Sequence, residues 1–231
     1  MTELKRNRYL YLMLIPVAAY YLIFCYGPMF GLVIAFKDYS IAKGIAASKW
    51  VGLKYFKEFF NGIYFSRTLR NTLVISFMDI LFGFPFPIIF ALLLNELRCK
   101  WFKKTVQTVT YLPHFISLVV ICGMITDFFS TNGLISSFRG MLGGKNMNYV
   151  ASAKWFRTIF IGSGIWSSFG WNSIIYLAAL SGVDAQLYEA AEIDGAGRFK
   201  QLLHVTLPSI LPTIMTMLIL RMGRVMTVGY E

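Results

Sequence analysis

Charge is what this chain has least of. Asp, Glu, Lys and Arg together make up 14% of its 231 residues, where a soluble domain carries about a quarter, so an ordinary water-soluble globule is excluded. Cysteine is far scarcer still, at three residues. Cys25, Cys99 and Cys122 stand far apart, which excludes a disulfide framework and gives no metal-ligand spacing. The two histidines, His114 and His204, have no second metal ligand at helical spacing. No internal repeat, low-complexity run, nucleophile triad or paired carboxylate is present, so enzyme chemistry is not expected of this chain. The nearest approach to a phosphate loop, Gly140 to Asn146, lacks both the Gly-x-x-x-x-Gly-Lys spacing and the hydroxyl that binds Mg²⁺. The chain therefore does not hydrolyse ATP itself.

Apolar residues are present in excess. They account for 57% of the chain, with a mean hydropathy of +0.60. A run of about 20 such residues crosses a bilayer as a helix, and five runs qualify: 9–36, 71–94, 105–126, 158–181 and 202–220. The first and fourth carry no charge. The first is too long for a signal-peptide core and has no small-residue cleavage site, so it reads as a retained span. The sequence thus predicts an all-α membrane protein with five transmembrane helices.

Orientation follows from the basic residues. Lys5, Arg6 and Arg8 precede the first span, and Arg98, Lys100, Lys103 and Lys104 crowd the short loop after the second; positive charge on short loops marks the cytoplasmic side. The N-terminus is expected there. The longer 37–70 loop opposes this with Lys37, Lys43, Lys49, Lys54, Lys57, Arg67 and Arg70, but diffuse charge on a longer loop carries less topological weight. A net charge of +11 then belongs to the membrane surface, since no basic soluble domain is available for nucleic acid.

Between the last two runs lies a patterned loop. Asp184 can cap a helix by accepting the free N–H groups of its first turn, and Gly195 can end it in the left-handed conformation. On the wheel Ala191 shares a side with Leu187, Tyr188 and Asp194, while Glu189, Glu192 and Ile193 lie opposite. Small and acidic groups are both offered to a partner. Pro208 and Pro212 follow one turn apart, where missing N–H groups favour bends.

Glu189-Ala190-Ala191, three residues, Gly195, nine residues, Val205, one residue and Leu207-Pro208 resemble the EAA loop of ATP-binding-cassette importer permeases, with Val205 where that pattern has Ile. The likeness runs further. Leu14-Ile15-Pro16, Tyr26-Gly27-Pro28-Met29, Ala35 to Tyr39, Gly44-Ile45, Ser48, Trp50 to Leu53, Phe59-Phe60, Tyr111 to Ser117 and Asn132-Gly133-Leu134 are similar to the carbohydrate-uptake permeases, in particular the oligosaccharide and polysaccharide subgroup. This resemblance implies coupling through Glu189, Ala190, Ala191, Asp194, Gly195, Leu207 and Pro208 to a cytoplasmic ATPase dimer, which would bind the ATP and Mg²⁺. It also implies a second permease subunit, an extracellular solute-binding protein and a bacterial cytoplasmic membrane location, with no cofactor in this chain. Permeases of this kind have a sixth span, so a segment beyond Glu231 is expected.

Polar groups inside spans mark pathways or contacts between helices, because an ionised side chain in hydrocarbon costs at least about 2.5–3.5 kcal/mol. Asp79 either lines the path or bonds a neighbouring helix. His114 either contributes to the path or satisfies a carbonyl freed by Pro113. In the fourth run Trp166, Trp171, Asn172 and Tyr176 offer the aromatic faces and polar donors that sugars favour. The same region also reads as anchoring and packing, with Gly162, Gly164 and Gly170 admitting a close neighbour. Trp50 and Trp155 suit interface belts, and His204 suits the membrane edge. The reading is a permease subunit of an ATP-driven importer for oligosaccharides or related sugars. Two alternatives stand beside it: an importer permease for a non-sugar solute, and a proton-coupled secondary transporter using Asp79 and His114.

Overall fold

The computed structural model describes residues 7–225. Lys5, Arg6 and the segment from Met226 onward lie outside the described residues. Within them the chain is helical apart from one two-stranded hairpin, and it divides into two compact units at Leu69/Arg70.

The first unit begins with α1, Arg8–Phe36, none of whose most apolar stretch is buried. Antiparallel strands β1 (Lys37–Asp38) and β2 (Lys49–Trp50) follow, with α2 (Gly44–Ala47) in their connection, then α3 (Lys54–Asn61). The hairpin is tied locally. Phe36 stacks on Trp50 at 5.7 Å, Lys37 Nζ donates to the Ile45 carbonyl at 2.8 Å, and Ser48 Oγ donates to the Gly44 carbonyl at 2.6 Å. Gly44 and Gly52 adopt φ of +68° and +61°, a region costly for other residues. Tyr55 donates its hydroxyl to Asp38 Oδ1 at 2.5 Å. That bond is the main cause holding the phenol above its ordinary range, with desolvation and the Asp38 charge adding to it.

The second unit starts within α4, Ile63–Glu96, and continues with α5 (Lys100–Tyr111), α6 (Leu118–Phe129), α7 (Leu134–Met141), α8 (Ala153–Ser181), α9 (Ala185–Ile193) and α10 (Arg198–Met222). Its core forms where α4, α8 and α10 meet: Ala91, Tyr176, Leu180, Ile210 and Ile214 are buried, with Phe84, Ile88, Leu177 and Met217 packed against them. Gly170 lets α8 close on α5, since a Cβ there would sit 2.2 Å from the Thr110 carbonyl oxygen. Gly162 and Gly164 have nothing within 4 Å of that position. Only the last of the three glycines expected to admit a neighbour does so.

Four stretches are long and apolar enough to cross a membrane: Arg8–Phe36, Ile63–Glu96, Leu118–Met141, which takes in α6 and α7, and Arg198–Met222. The expected run 105–126 is not one helix. It breaks after Tyr111 into a 3-10 turn, Leu112–Phe115, where Pro113 has no N–H to donate, and α6 restarts with Ser117 accepting from the Val120 N–H. The expected run 158–181 lies inside α8, a single 29-residue helix. It is absent from the four because Trp, Ser, Gly and Asn dilute its hydropathy.

Prolines also explain three wide π turns, Tyr21–Tyr26, Asp79–Gly83 and Leu202–Thr206. A proline ring clashes with the carbonyl four residues earlier. For Pro28, Pro85 and Pro208 that carbonyl belongs to Phe24, Leu81 and His204, each inside a π turn. Widening the turn moves the carbonyl aside without ending the helix.

Candidate functional site

The loop after α8 folds as a self-contained element. Asp184 caps α9 by accepting from the Gln186 N–H at 3.0 Å. At the other end Gly195 has φ +72°, its N–H bonds to the Glu192 carbonyl at 3.0 Å, and the Ala196 N–H bonds to the Ala191 carbonyl at 2.9 Å. These two bonds form a Schellman motif, which satisfies carbonyls a helix end otherwise leaves open. Nothing crowds Gly195, so its requirement is conformational.

The helix presents two faces. Tyr188 and Ala191 are half-buried, and the Tyr188 hydroxyl lies 3.0 Å from Thr206 Oγ1, tying α9 to the π turn of α10. Glu189, Ala190, Glu192 and Asp194 are exposed, and among the described residues neither Glu189 nor Glu192 has an ion-pair partner. Two large apolar side chains are exposed beside them, Ile193 at 87% and Phe199 at 72%. Leu207 packs at the edge of the core and Pro208 is exposed. His204 keeps Nδ1 3.1 Å from the Lys200 carbonyl oxygen.

The intramembrane polar residues separate into distinct places. Asp79, on the π turn of α4, pairs with Arg221 near the end of α10: Nη2 reaches Oδ1 at 2.7 Å and Nε reaches Oδ2 at 3.0 Å. The apolar run 202–220 stops one residue short of Arg221. The signal was available, because a carboxylate in a span calls for a cation and Arg221 directly follows an apolar run. His114 stacks on Trp171 at 4.6 Å and 7°, and Phe115 meets the same indole edge-on at 5.4 Å. The imidazole thus takes an aromatic partner, and among the described residues it makes no hydrogen bond to a freed carbonyl. Asp79 and His114 each have a separate partner, and among the described residues no hydrogen bond or ion pair joins them. Trp166 is exposed, Asn172 makes no side-chain hydrogen bond among the described residues, and Ser167 and Ser168 bond back to the Gly164 carbonyl. Tyr176 is buried in the apolar core.

Comparison with known proteins decides the class. The model of the family described as binding-protein-dependent transport system inner membrane component matches residues 59–228. The chain belongs to this family. It is a permease subunit of an ATP-binding-cassette importer, a multi-pass membrane component without catalysis of its own, the ATPase being separate. Protein LplB of Bacillus subtilis is 47% identical, the match spanning 100% of this chain and 73% of that protein. The polygalacturonan/rhamnogalacturonan transport system permease protein YteP of the same species is 46% identical, over 99% and 72%. Among solved structures, a bacterial ABC transporter involved in the import of the acidic polysaccharide alginate superposes with a TM-score of 0.91 at 40% identity, covering 100% of this chain and 77% of that one. Family membership replaces the secondary-transporter alternative.

Proposed function

We propose that this permease imports oligosaccharides and that α9 is the lever through which a cytoplasmic ATPase dimer drives it. The observation that carries the coupling reading is the combination at α9: a helix capped at both ends by its own residues, with Glu189 and Glu192 lacking an ion-pair partner among the described residues and lying beside exposed Ile193 and Phe199. Self-capping gives a rigid body. Unpaired acids and exposed apolar groups are what a partner's basic, apolar cleft would cover. The Tyr188–Thr206 hydrogen bond then carries displacement of α9 into α10. Closure of the ATPase dimer on ATP switches the spans from inward-open to outward-open as a rigid-body input.

The substrate class is supported by the relatives, one named for polygalacturonan and rhamnogalacturonan transport and another for alginate. The break at 112–117 supports a path nearby. Non-helical backbone at membrane depth is tolerated where protein or a water-filled cavity surrounds it, and here it exposes His114 and Phe115 beside Trp171. Five membrane crossings with a cytoplasmic N-terminus, a second permease subunit and an extracellular binding protein complete the assembly. The test is copurification from the native host, followed by uptake in proteoliposomes of labelled oligogalacturonide and labelled maltopentaose. Recovery of an ATPase with the wild type and its loss with Gly195→Asp supports the lever. Equal recovery with both refutes it, and uptake of neither sugar refutes the substrate class.

A further inference from the structure

Asp79 and Arg221 remain unused by that reading. They lie 142 residues apart in sequence, yet guanidinium and carboxylate face each other as a two-pronged pair, with a third contact from Nη2 to the Asp79 carbonyl oxygen at 3.4 Å. The side chains are only 25% and 34% exposed. Such charge-assisted bidentate pairs fix geometry as well as energy, and losing one partner strands the other in a medium that tolerates charge poorly.

The surroundings are shaped to the pair. A Cβ at Gly83 would lie 2.6 Å from Arg221 Nη2 and 2.7 Å from Asp79 Oδ1, so the absent side chain is the space the fork occupies. The π turn at Asp79–Gly83 carries both residues. Close by, Ser76 Oγ donates to the Val225 carbonyl at 2.6 Å.

A second ion pair joins the same two helices where α4 ends and α10 begins. Arg198 Nη1 lies 3.7 Å from Glu96 Oε2, with side chains 63% and 54% exposed. α4 and α10 are thus antiparallel and pinned twice, with about 25–35 Å of helix rise between the pins and Ala91, Ile210 and Ile214 buried in the cluster they share with Tyr176 and Leu180 of α8. The pins differ in strength. A single long contact in water contributes about 0–1 kcal/mol, whereas the shielded bidentate pair is the firmer joint. α10 begins three residues beyond Gly195, so a push on α9 enters at the weak pin and travels toward the strong one.

We propose that Asp79 and Arg221 are a positioning pair for transport: they make α4 follow α10, so that displacement of the coupling loop moves the second span and not the last helix alone. This rests on the lever reading of α9.

The experiment uses the full-length chain in the complete complex, reconstituted in proteoliposomes, with ATP hydrolysis and uptake of labelled oligogalacturonide measured on one preparation. Asp79→Asn, Arg221→Gln and Gly83→Ala are expected to leave subunit recovery and hydrolysis within about twofold of wild type and to lower sugar imported per ATP by tenfold or more. Arg221→Lys, a cation without the fork, should fall between. The exchange Asp79→Arg with Arg221→Asp should restore the ratio to within about threefold. Glu96→Gln should leave it unchanged. A wild-type ratio in Asp79→Asn or Gly83→Ala overturns the proposal, as does loss of the complex in both, which would make the pair structural only. A low ratio that the exchange fails to restore also overturns it. Gly195→Asp separates the two readings: ATPase retained there refutes the lever, whereas ATPase lost there with a normal ratio in Asp79→Asn refutes only the pair.

Discussion

The α9 loop and the Asp79–Arg221 site are both rich in charge, yet they treat it in opposite ways. In the interior the acid and the base are matched at 2.7 Å and a glycine is spent to seat them. In the loop Glu189 and Glu192 have no ion-pair partner among the described residues, while the helix that carries them is capped at both ends. A carboxylate in water needs no partner, whereas one in hydrocarbon does. Under the proposed lever, the two open acids of this capped helix are the groups a basic cleft of the ATPase would cover.

The sharpest break of this contrast is Gly195→Asp. A left-handed non-glycine residue costs about 1–2 kcal/mol, and here it would also unwind the Schellman end. Loss of ATPase copurification and of uptake is expected, with membrane insertion intact by carbonate extraction. Glu189→Arg should come next, lowering ATPase recovery tenfold or more by reversing charge where no internal partner can compensate. Trp171→Ala should reduce uptake several-fold without changing ATPase recovery, and Trp171→Phe should keep part of it, if the broken third span faces the path. Gly170→Ala tests packing alone. With a Cβ driven to 2.2 Å from the Thr110 carbonyl oxygen, about 1–3 kcal/mol of overpacking strain should lower the melting temperature in detergent. Asp184→Ala is the mildest: a lost N-cap costs about 1 kcal/mol and should show as slightly faster amide exchange in the first turn of α9.

How much of this was legible depends on how local each determinant is. The caps of α9 are encoded within a few residues, so Asp184 and Gly195 could be read directly. The apolar runs likewise announced helices, because hydropathy sums over neighbours. The break at 112–117 was missed although Pro113 sits in it, since a proline alone does not say whether a helix bends, widens or stops. Pro208 and Pro28 gave wide turns, while Pro16 and Pro212 stayed inside α-helix. Arg221 was missed for a different reason: its partner is 142 residues away, and only the folded chain brings them together. Tyr176 shared a helix with Trp171 but faces the core, which the helical period alone could not assign without knowing where α4 and α10 lie.

The wide turns have a consequence for anyone aligning or engineering these helices. Each π turn holds more residues per revolution than the α-helix on either side, so the positions beyond it are shifted by about one residue relative to an unbroken α-helical count. Ala91 lies past the turn in α4, and Ile210 and Ile214 lie past the turn in α10. A periodicity count carried straight through Pro85 or Pro208 would be out by about one residue, or about 100°, at these core positions. Deleting one residue within Asp79–Gly83 or Leu202–Thr206 would wind the turn tight as ordinary α-helix, so each wide turn absorbs one extra residue and leaves the stripe beyond it in place.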